Sequence, residues 1–254
     1  MLLKGTEMPK APLATPTSAQ PQPDSAAVAP VWHTAVVLLF LLAMVTLTKY
    51  WVASGHFEQA HSRLPGYIVT MIMEWLIVAF IALGPRWRGA SLRTLTGKNP
   101  LGWRSIARDL GLAAAYLLAA NIVLAILGYI LAHFGPASDN AALKNLLPHT
   151  LLENATFLLL ALTAGICEEM IFRGYLQHQL TAWTRNAAAG IVLQGIIFGV
   201  AHAYQGSTQI LVIAVYGCMF GSLAYWRKSL RPGMLAHFLQ DSVGGIVLSR
   251  FMPK

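Results

Sequence analysis

The sequence predicts an all-α fold, a polytopic membrane helix bundle of about seven transmembrane helices. Three observations carry this reading. Only 11% of the 254 residues are Asp, Glu, Lys or Arg, against roughly 25% in soluble proteins. The apolar and aromatic set reaches 56%, and mean hydropathy is +0.56. Seven stretches hold the roughly 20 mostly apolar residues that a helix needs to cross a bilayer. With 18 basic and 10 acidic side chains, the chain has too few charges to cover a soluble globule of its size. That excludes an ordinary soluble domain, a disordered chain and a nucleic-acid module. The net charge of +8 reads as topology, because the charges fall mainly between apolar spans.

Residues 1–30 contain Pro9, Pro12, Pro16, Pro21, Pro23 and Pro30 and no helical or strand period. They read as a disordered, Pro/Ala-rich tail. Met1-Leu2-Leu3-Lys4 is followed by no apolar stretch of signal-peptide length, so the chain is expected to be held by its own spans. These are placed near 32–52, 66–85, 109–134, 151–177, 188–204, 209–226 and 233–250. The third is supported by a run without charge from Leu110 to Ser138. The fifth and sixth share an uncharged run from Asn186 to Trp226, with a tight turn at Gln205-Gly206-Ser207. Strands are excluded because period-2 alternation is absent and lipid forbids open sheet edges.

Twelve Lys and Arg fall on one side of this topology: Lys4, Lys10, six residues between 86 and 108, Arg185, Arg227, Lys228 and Arg231. Five fall on the other: Lys49, Arg63, Lys144, Arg250 and Lys254. An integral multi-pass protein of the plasma (inner) membrane with a cytoplasmic N-terminus is therefore expected. Cys167 and Cys218 lie in apolar runs and read as reduced packing residues. Gly195 with Gly199, and Gly217 with Gly221, each present two glycines on one helix face. Close packing inside the bundle is the first reading, and a dimer interface the second.

Ionisable residues inside a span are costly, by about 2.5–3.5 kcal/mol each on insertion scales. The fourth span holds Glu168, Glu169 and Arg173. Glu169 and Arg173 are four apart and share a helix face, so they can pair. Glu168 points about 100° away and is the carboxylate left for chemistry. The competing reading is a solvated charge cluster at a helix end. Phe198 and His202 share a face of the fifth span, and His237 and Asp241 share a face of the seventh. Each feature alone suits a structural hydrogen bond. Together they suggest one convergent polar site at membrane depth.

The ordered set Glu168-Glu169-x-x-x-Arg173, Phe198-x-x-x-His202 and His237-x-x-x-Asp241 resembles the three-motif signature of the CPBP family. These are intramembrane proteases related to type II CAAX prenyl endopeptidases and to bacteriocin-processing or self-immunity proteins. The resemblance implies a catalytic core at 151–254 with about four transmembrane helices, and variable N-terminal helices, about three, at 31–150. It also implies roles. Glu168 corresponds to the base that activates water, and His202 to the histidine that helps hold it. His237 and Asp241 correspond to the pair that stabilises the oxyanion. Glu169, Arg173 and Phe198 take supporting positions.

One departure bears on the mechanism. CAAX proteases commonly have Asn where this chain has Asp241. An amide can donate to an oxyanion and an ionised carboxylate cannot. Asp241 must then be protonated, orient His237 or bind metal. The last option leaves Zn2+ as an alternative, with Glu168, His202, His237 and Asp241 as ligands and no certain cofactor. No His-Glu-x-x-His sequence occurs in the chain, so the common zincin arrangement is absent.

The leading expectation is an endopeptidase that hydrolyses a membrane-associated peptide, either prenylated and CAAX-type or a leader peptide, with a glutamate-activated water. The alternatives are a non-catalytic scaffold or self-immunity protein of the same family, then a proton-coupled transporter. Expected partners are the lipid bilayer and a peptide or lipidated protein, not nucleic acid. Two positional expectations complete the reading. On these boundaries His202 near one end of its span and His237 near the opposite end of another would stand more than about 10 Å apart along the membrane normal, so either the helices are offset and tilted, the first reading, with the site in a cavity within the bundle, or one boundary is misplaced. Glu74 reads first as a structural hydrogen-bonder and second as a cavity liner, Glu153 as a residue of a helix start, and His33, His56, His61, His133, His149 and His178 as residues of span ends or loops without a role.

Overall fold

Helix N-termini in this chain are marked by residues that satisfy or remove free N–H groups, and the computed structural model starts its helices at several of them. Residues 27–55, 62–89, 91–97, 100–135 and 146–251 are described. The elements are α1 (Val31–Ala53), α2 (Leu64–Ile81), α3 (Leu83–Trp87), α4 (Arg93–Thr96), α5 (Trp103–Phe134), α6 (Leu151–Glu168), a π-helical segment (Glu169–Leu176), α7 (Gln177–Thr184), α8 (Ala187–Ala201), a 3-10 turn (Ala203–Gln205), α9 (Ser207–Arg227) and α10 (Arg231–Phe251). Among the described residues there is no strand. Pro65 sits in the first turn of α2, where a missing N–H costs nothing. Thr150 and Glu153 form a capping box at the start of α6. Asn186 accepts from the Ala189 N–H to open α8.

The all-α membrane bundle stands. Among the described residues, five helices are long and apolar enough to cross a bilayer: 31–53, 64–87, 103–134, 151–184 and 207–227. The other two expected spans differ. The stretch placed at 188–204 is α8, only 15 residues long, about 22 Å at 1.5 Å per residue. It falls short of the roughly 30 Å hydrocarbon core. The stretch placed at 233–250 is α10, which has 21 residues but carries Arg231, His237, Gln240, Asp241 and Arg250 and is not among the five.

Burial is concentrated on one element. All eight residues of the π-helical segment are buried, as expected of a helix enclosed on every side. Val37 of α1, Ile77, Val78 and Ile81 of α2, Phe198 of α8 and Leu230 before α10 join it in one apolar core. The outer faces are apolar as well: Leu39, Ile72, Leu118, Ile126 and Leu159 are all exposed. An apolar exterior on a polytopic bundle is a lipid-facing surface.

Packing follows small residues. α8 lies against α9, and α10 against α6 and α5. A Cβ on Gly199 would stand 2.3 Å from the Ile210 carbonyl oxygen, and one on Gly195 would stand 2.4 Å from Cys218 Sγ. These glycines therefore pack α8 on α9 within the chain, as first read. Gly165 does the same for α6 and α10, where a Cβ would meet the Met234 oxygen at 2.9 Å. Cys167 and Cys218 are both free thiols.

Other elements are tied by polar anchors. Buried Asp109 of α5 accepts from Arg231 Nε at 2.7 Å, and Arg231 also bonds the Pro100 oxygen and Ser105 Oγ. This holds the start of α10 against α5. Glu153 accepts from the backbone N–H groups of Arg63, His149 and Thr150, as its place in a helix start requires. His33 is fully buried, contrary to its reading as a span-end residue without a role: it bonds Tyr175 Oη and the Phe80 oxygen and ties α1 to the central segment. Val28 and Ala29, placed in the tail from sequence, are buried, and Gln179 bonds both the N–H and the oxygen of Ala29. The rest of the expected tail, 1–26, lies outside the described residues, as do His56, His61 and Lys144.

Gly199→Ala is expected to lower stability by about 1–3 kcal/mol through overpacking. Gly111→Ala, where a Cβ meets nothing within 4 Å, serves as the control. Thermal unfolding of the two proteins in the same detergent checks this, with Gly111→Ala expected to stay at or above wild type.

Candidate active site

The fourth apolar helix changes its winding at its pair of adjacent glutamates, Glu168 and Glu169. α6 ends at Glu168, and the next eight residues, Glu169–Leu176, are π-helical. Such segments are frequent at functional sites. The wider winding places the two neighbouring glutamates in different surroundings.

Glu169 faces inward and is fully buried, as is Arg173. Arg173 Nη1 lies 3.0 Å from Glu169 Oε1, so the pairing read from their spacing is present, and the solvated-cluster reading is excluded for these two residues. The guanidinium is also enclosed by rings, its Cζ 4.3 Å from the centroid of Phe198 and 4.9 Å from that of Phe220. A cation over aromatic faces gains further stabilisation when desolvated. Gly233 leaves room for the carboxyl: a Cβ there would stand 2.9 Å from Glu169 Oε2.

Glu169 has a second task that its spacing to Arg173 did not reveal. Its Oε1 lies 3.1 Å from His237 Nδ1 in a buried hydrogen bond. A carboxylate only accepts, so Nδ1 carries the hydrogen and Nε2 faces the other way. Phe220 stacks on the same imidazole at 5.2 Å and 28°. No sequence motif pointed to Phe220; it comes from α9, four residues after Tyr216.

Glu168 faces the histidines. Its Oε2 stands 3.8 Å from His237 Nε2 and 3.9 Å from His202 Nε2. His202 caps α8, and its Nδ1 bonds the Phe198 oxygen at 2.8 Å. A carbonyl only accepts, so this ring too presents Nε2 to Glu168. Asp241 Oδ2 lies 3.5 Å from His237 Nε2. Asp241 is thus beside the nitrogen that faces Glu168, and the ring is oriented from its other side by Glu169. Of the three tasks offered for Asp241, orienting His237 belongs to Glu169.

His202 and His237 converge, both within 4 Å of one oxygen atom, and the misplaced boundary, not the offset of two full crossings, reconciles their depths. The reason is the length of α8. It ends at Ala201 after 15 residues, and the chain turns back through Ala203–Gln205 and Gly206, whose φ is +110°. His202 therefore stands at the tip of a short helix and not at the far end of a full crossing.

Among the described residues, no group of three or more His, Cys, Asp or Glu side chains is arranged to hold a metal ion. Donors in a tetrahedral zinc site with bonds near 2.0–2.1 Å stand about 3.4 Å apart. Glu168 Oε2 is farther than that from both Nε2 atoms. The set Glu168, His202, His237 and Asp241 converges, but it does not fit zinc in this arrangement.

Glu74 differs from its first reading. It is buried on α2, but its Oε2 has no hydrogen-bond partner among the described residues. It lies within electrostatic reach of Glu168, His237 and Asp241.

Residues 150–243 match the family model for Rce1-like proteins, described as type II CAAX prenyl endopeptidase Rce1-like. The match spans all three motifs and agrees with the resemblance to CPBP proteases. It covers less than half of the chain and leaves α1 to α5 outside. No curated protein matched the chain. No solved structure matched it either.

Removing one partner of a buried ion pair leaves the other uncompensated, at a cost of about 3–5 kcal/mol. Arg173→Met is therefore expected to destabilise the protein by that order, and Glu169→Gln in Arg173→Met to recover part of the loss. A double-mutant cycle on thermal unfolding in detergent reads the coupling, and additive effects would show that the pair does not act as a unit.

Proposed function

We propose that this membrane-embedded relative of type II CAAX prenyl endopeptidases hydrolyses peptide bonds with a water activated by Glu168. One observation carries the mechanism: a single carboxylate oxygen stands 3.8 and 3.9 Å from two imidazole Nε2 atoms. These gaps are too long for direct hydrogen bonds. A single oxygen atom can span each gap at ordinary hydrogen-bond distance from both sides. A water bound there touches a base and two imidazoles at once.

The hydrogen count assigns the roles. A water has two hydrogens, and Glu168 Oε2, His202 Nε2 and His237 Nε2 offer three acceptor positions. One group must then carry a proton of its own. His237 has carboxylates beside both ring nitrogens, Glu169 at Nδ1 and Asp241 near Nε2, so a cationic ring is best supported there. Its Nε2–H becomes the donor to the developing oxyanion. Asp241 then serves as counter-charge to that donor and need not donate itself.

The catalytic cycle needs only these groups. Glu168 takes a proton as the water attacks the scissile carbonyl, and His202 holds the water in line. His237 stabilises the negative oxygen of the tetrahedral intermediate. Glu168 returns the proton to the leaving amine as the C–N bond breaks. Arg173 and Phe198 keep Glu169 and the rings in place. The substrate class is a membrane-associated peptide, prenylated and CAAX-type or a leader peptide, that reaches the site from the bilayer.

The experiment is cleavage of a farnesylated CAAX peptide by detergent-purified protein. Glu168→Gln is expected to lose at least about 10²-fold in kcat/KM while unfolding near the wild-type temperature, and a zinc chelator to leave wild type active. Cleavage retained in Glu168→Gln would remove the mechanism, and loss under chelation would require a metal. The expected cytoplasmic N-terminus follows from the Lys and Arg bias. A phosphatase reporter fused after Lys254, active only outside the cytoplasm, is expected to be active.

A further inference from the structure

Glu74 sits on α2, outside the segment that matches the family model. Only 8% of it is exposed. Its Oε2 has no hydrogen-bond partner among the described residues. α2 packs on α6 and on the π-helical segment, which brings this carboxyl within electrostatic reach of Glu168, His237, Asp241 and Tyr204. Among the described residues of the first half, the other buried acid, Asp109, is ion-paired with Arg231. Glu74 is a polar group carried into an apolar bundle at a cost, without the structural hydrogen bond that would explain it.

A peptide presents its backbone carbonyl to a nucleophile only when unwound from helical structure. Within the bilayer, unwinding strips each backbone N–H of its partner and of water. A site that cuts an embedded peptide must therefore hold out acceptors for those N–H groups. A carboxyl oxygen accepts an N–H whether the group is ionised or protonated. We propose that Glu74 Oε2 receives a backbone N–H of the extended peptide substrate and holds its scissile carbonyl against the water at Glu168. This inference rests on the endopeptidase reading. It makes α2 part of the substrate site and assigns that site an extended backbone as its ligand.

The test uses the full chain and the farnesylated CAAX peptide. Replacing an unpartnered buried polar group by an apolar one of similar shape is close to neutral for folding. Glu74→Leu is thus expected to unfold at or above the wild-type temperature. Its KM is expected to rise about tenfold, the loss of one hydrogen bond, with kcat little changed. Glu74→Gln keeps an acceptor oxygen and is expected to stay within about threefold of wild type. Probe peptides with one backbone amide at a time replaced by an ester locate the N–H: at one position the ester is expected to erase the difference between wild type and Glu74→Leu. A Glu74→Leu protein that unfolds several degrees earlier overturns the inference in favour of a structural role. Wild-type cleavage with KM unmoved in Glu74→Leu overturns this inference alone, and no cleavage by wild type overturns it together with the endopeptidase reading.

Discussion

A guanidinium and a carboxylate without solvent contact are expensive in any protein, and more so inside an apolar bundle. Arg173 and Glu169 offset that cost by pairing at 3.0 Å and by the rings of Phe198 and Phe220 around the cation. Much of the site depends on this arrangement. With Arg173 beside it, Glu169 can remain a carboxylate at full burial and accept from His237 Nδ1. That hydrogen bond chooses the ring's orientation and turns Nε2 toward Glu168. The chain of dependence runs from a buried cation, through a carboxylate and an imidazole, to the atom that faces the chemistry. Loss of the cation would disturb the proposed catalysis without touching any group assigned to react.

Glu168 and Glu169 are chemically the same side chain at adjacent positions, and they have different work because of what packs around them. Glu169 belongs to the π-helical turn and is enclosed. Glu168 ends the α-helical part and retains some exposure, 16% of its side chain. It has histidines near it and no hydrogen-bond partner for Oε2 among the described residues. An acceptor held in place by its neighbours and left without a donor is what an activated water requires. Asp241 follows the same logic. It stands near His237 Nε2, so its charge supports the ring as a donor. This is how a carboxylate can occupy a position where an amide is common.

The three helices that carry the motifs approach one another because of small residues at the right levels. Gly165 admits α10 to α6, which brings His237 toward Glu168. Gly195 and Gly199 admit α9 to α8, which brings Phe220 to the opposite face of the imidazole. Arg231, bound to Asp109 and Ser105, sets the level of α10 along the bundle. Each contact trades side-chain volume for proximity, the common solution where no hydrophobic force draws helices together.

The linear order of residues determined the membrane character, the helical class and five of the seven spans it predicted, because these depend on composition and on uninterrupted apolar length. It also determined the Glu169–Arg173 pair, since four residues on a helix is a distance fixed by local geometry. The three motifs were legible for the same reason: each lies within a single helix turn or two. What the tertiary structure decided involves contacts between helices, for which periodicity carries no signal. The bond from Glu169 to His237 spans 68 positions, and the stacking of Phe220 on His237 and the electrostatic reach of Glu74 to Glu168 join different helices. The boundary that set His202 at the end of a full crossing was misplaced because an apolar run of 41 residues, 186–226, does not reveal where it folds back. The chain turns at Ala203–Gln205, close to the glycine that the sequence marked, but the first arm had already ended as a short helix whose tip meets the centre of the bundle.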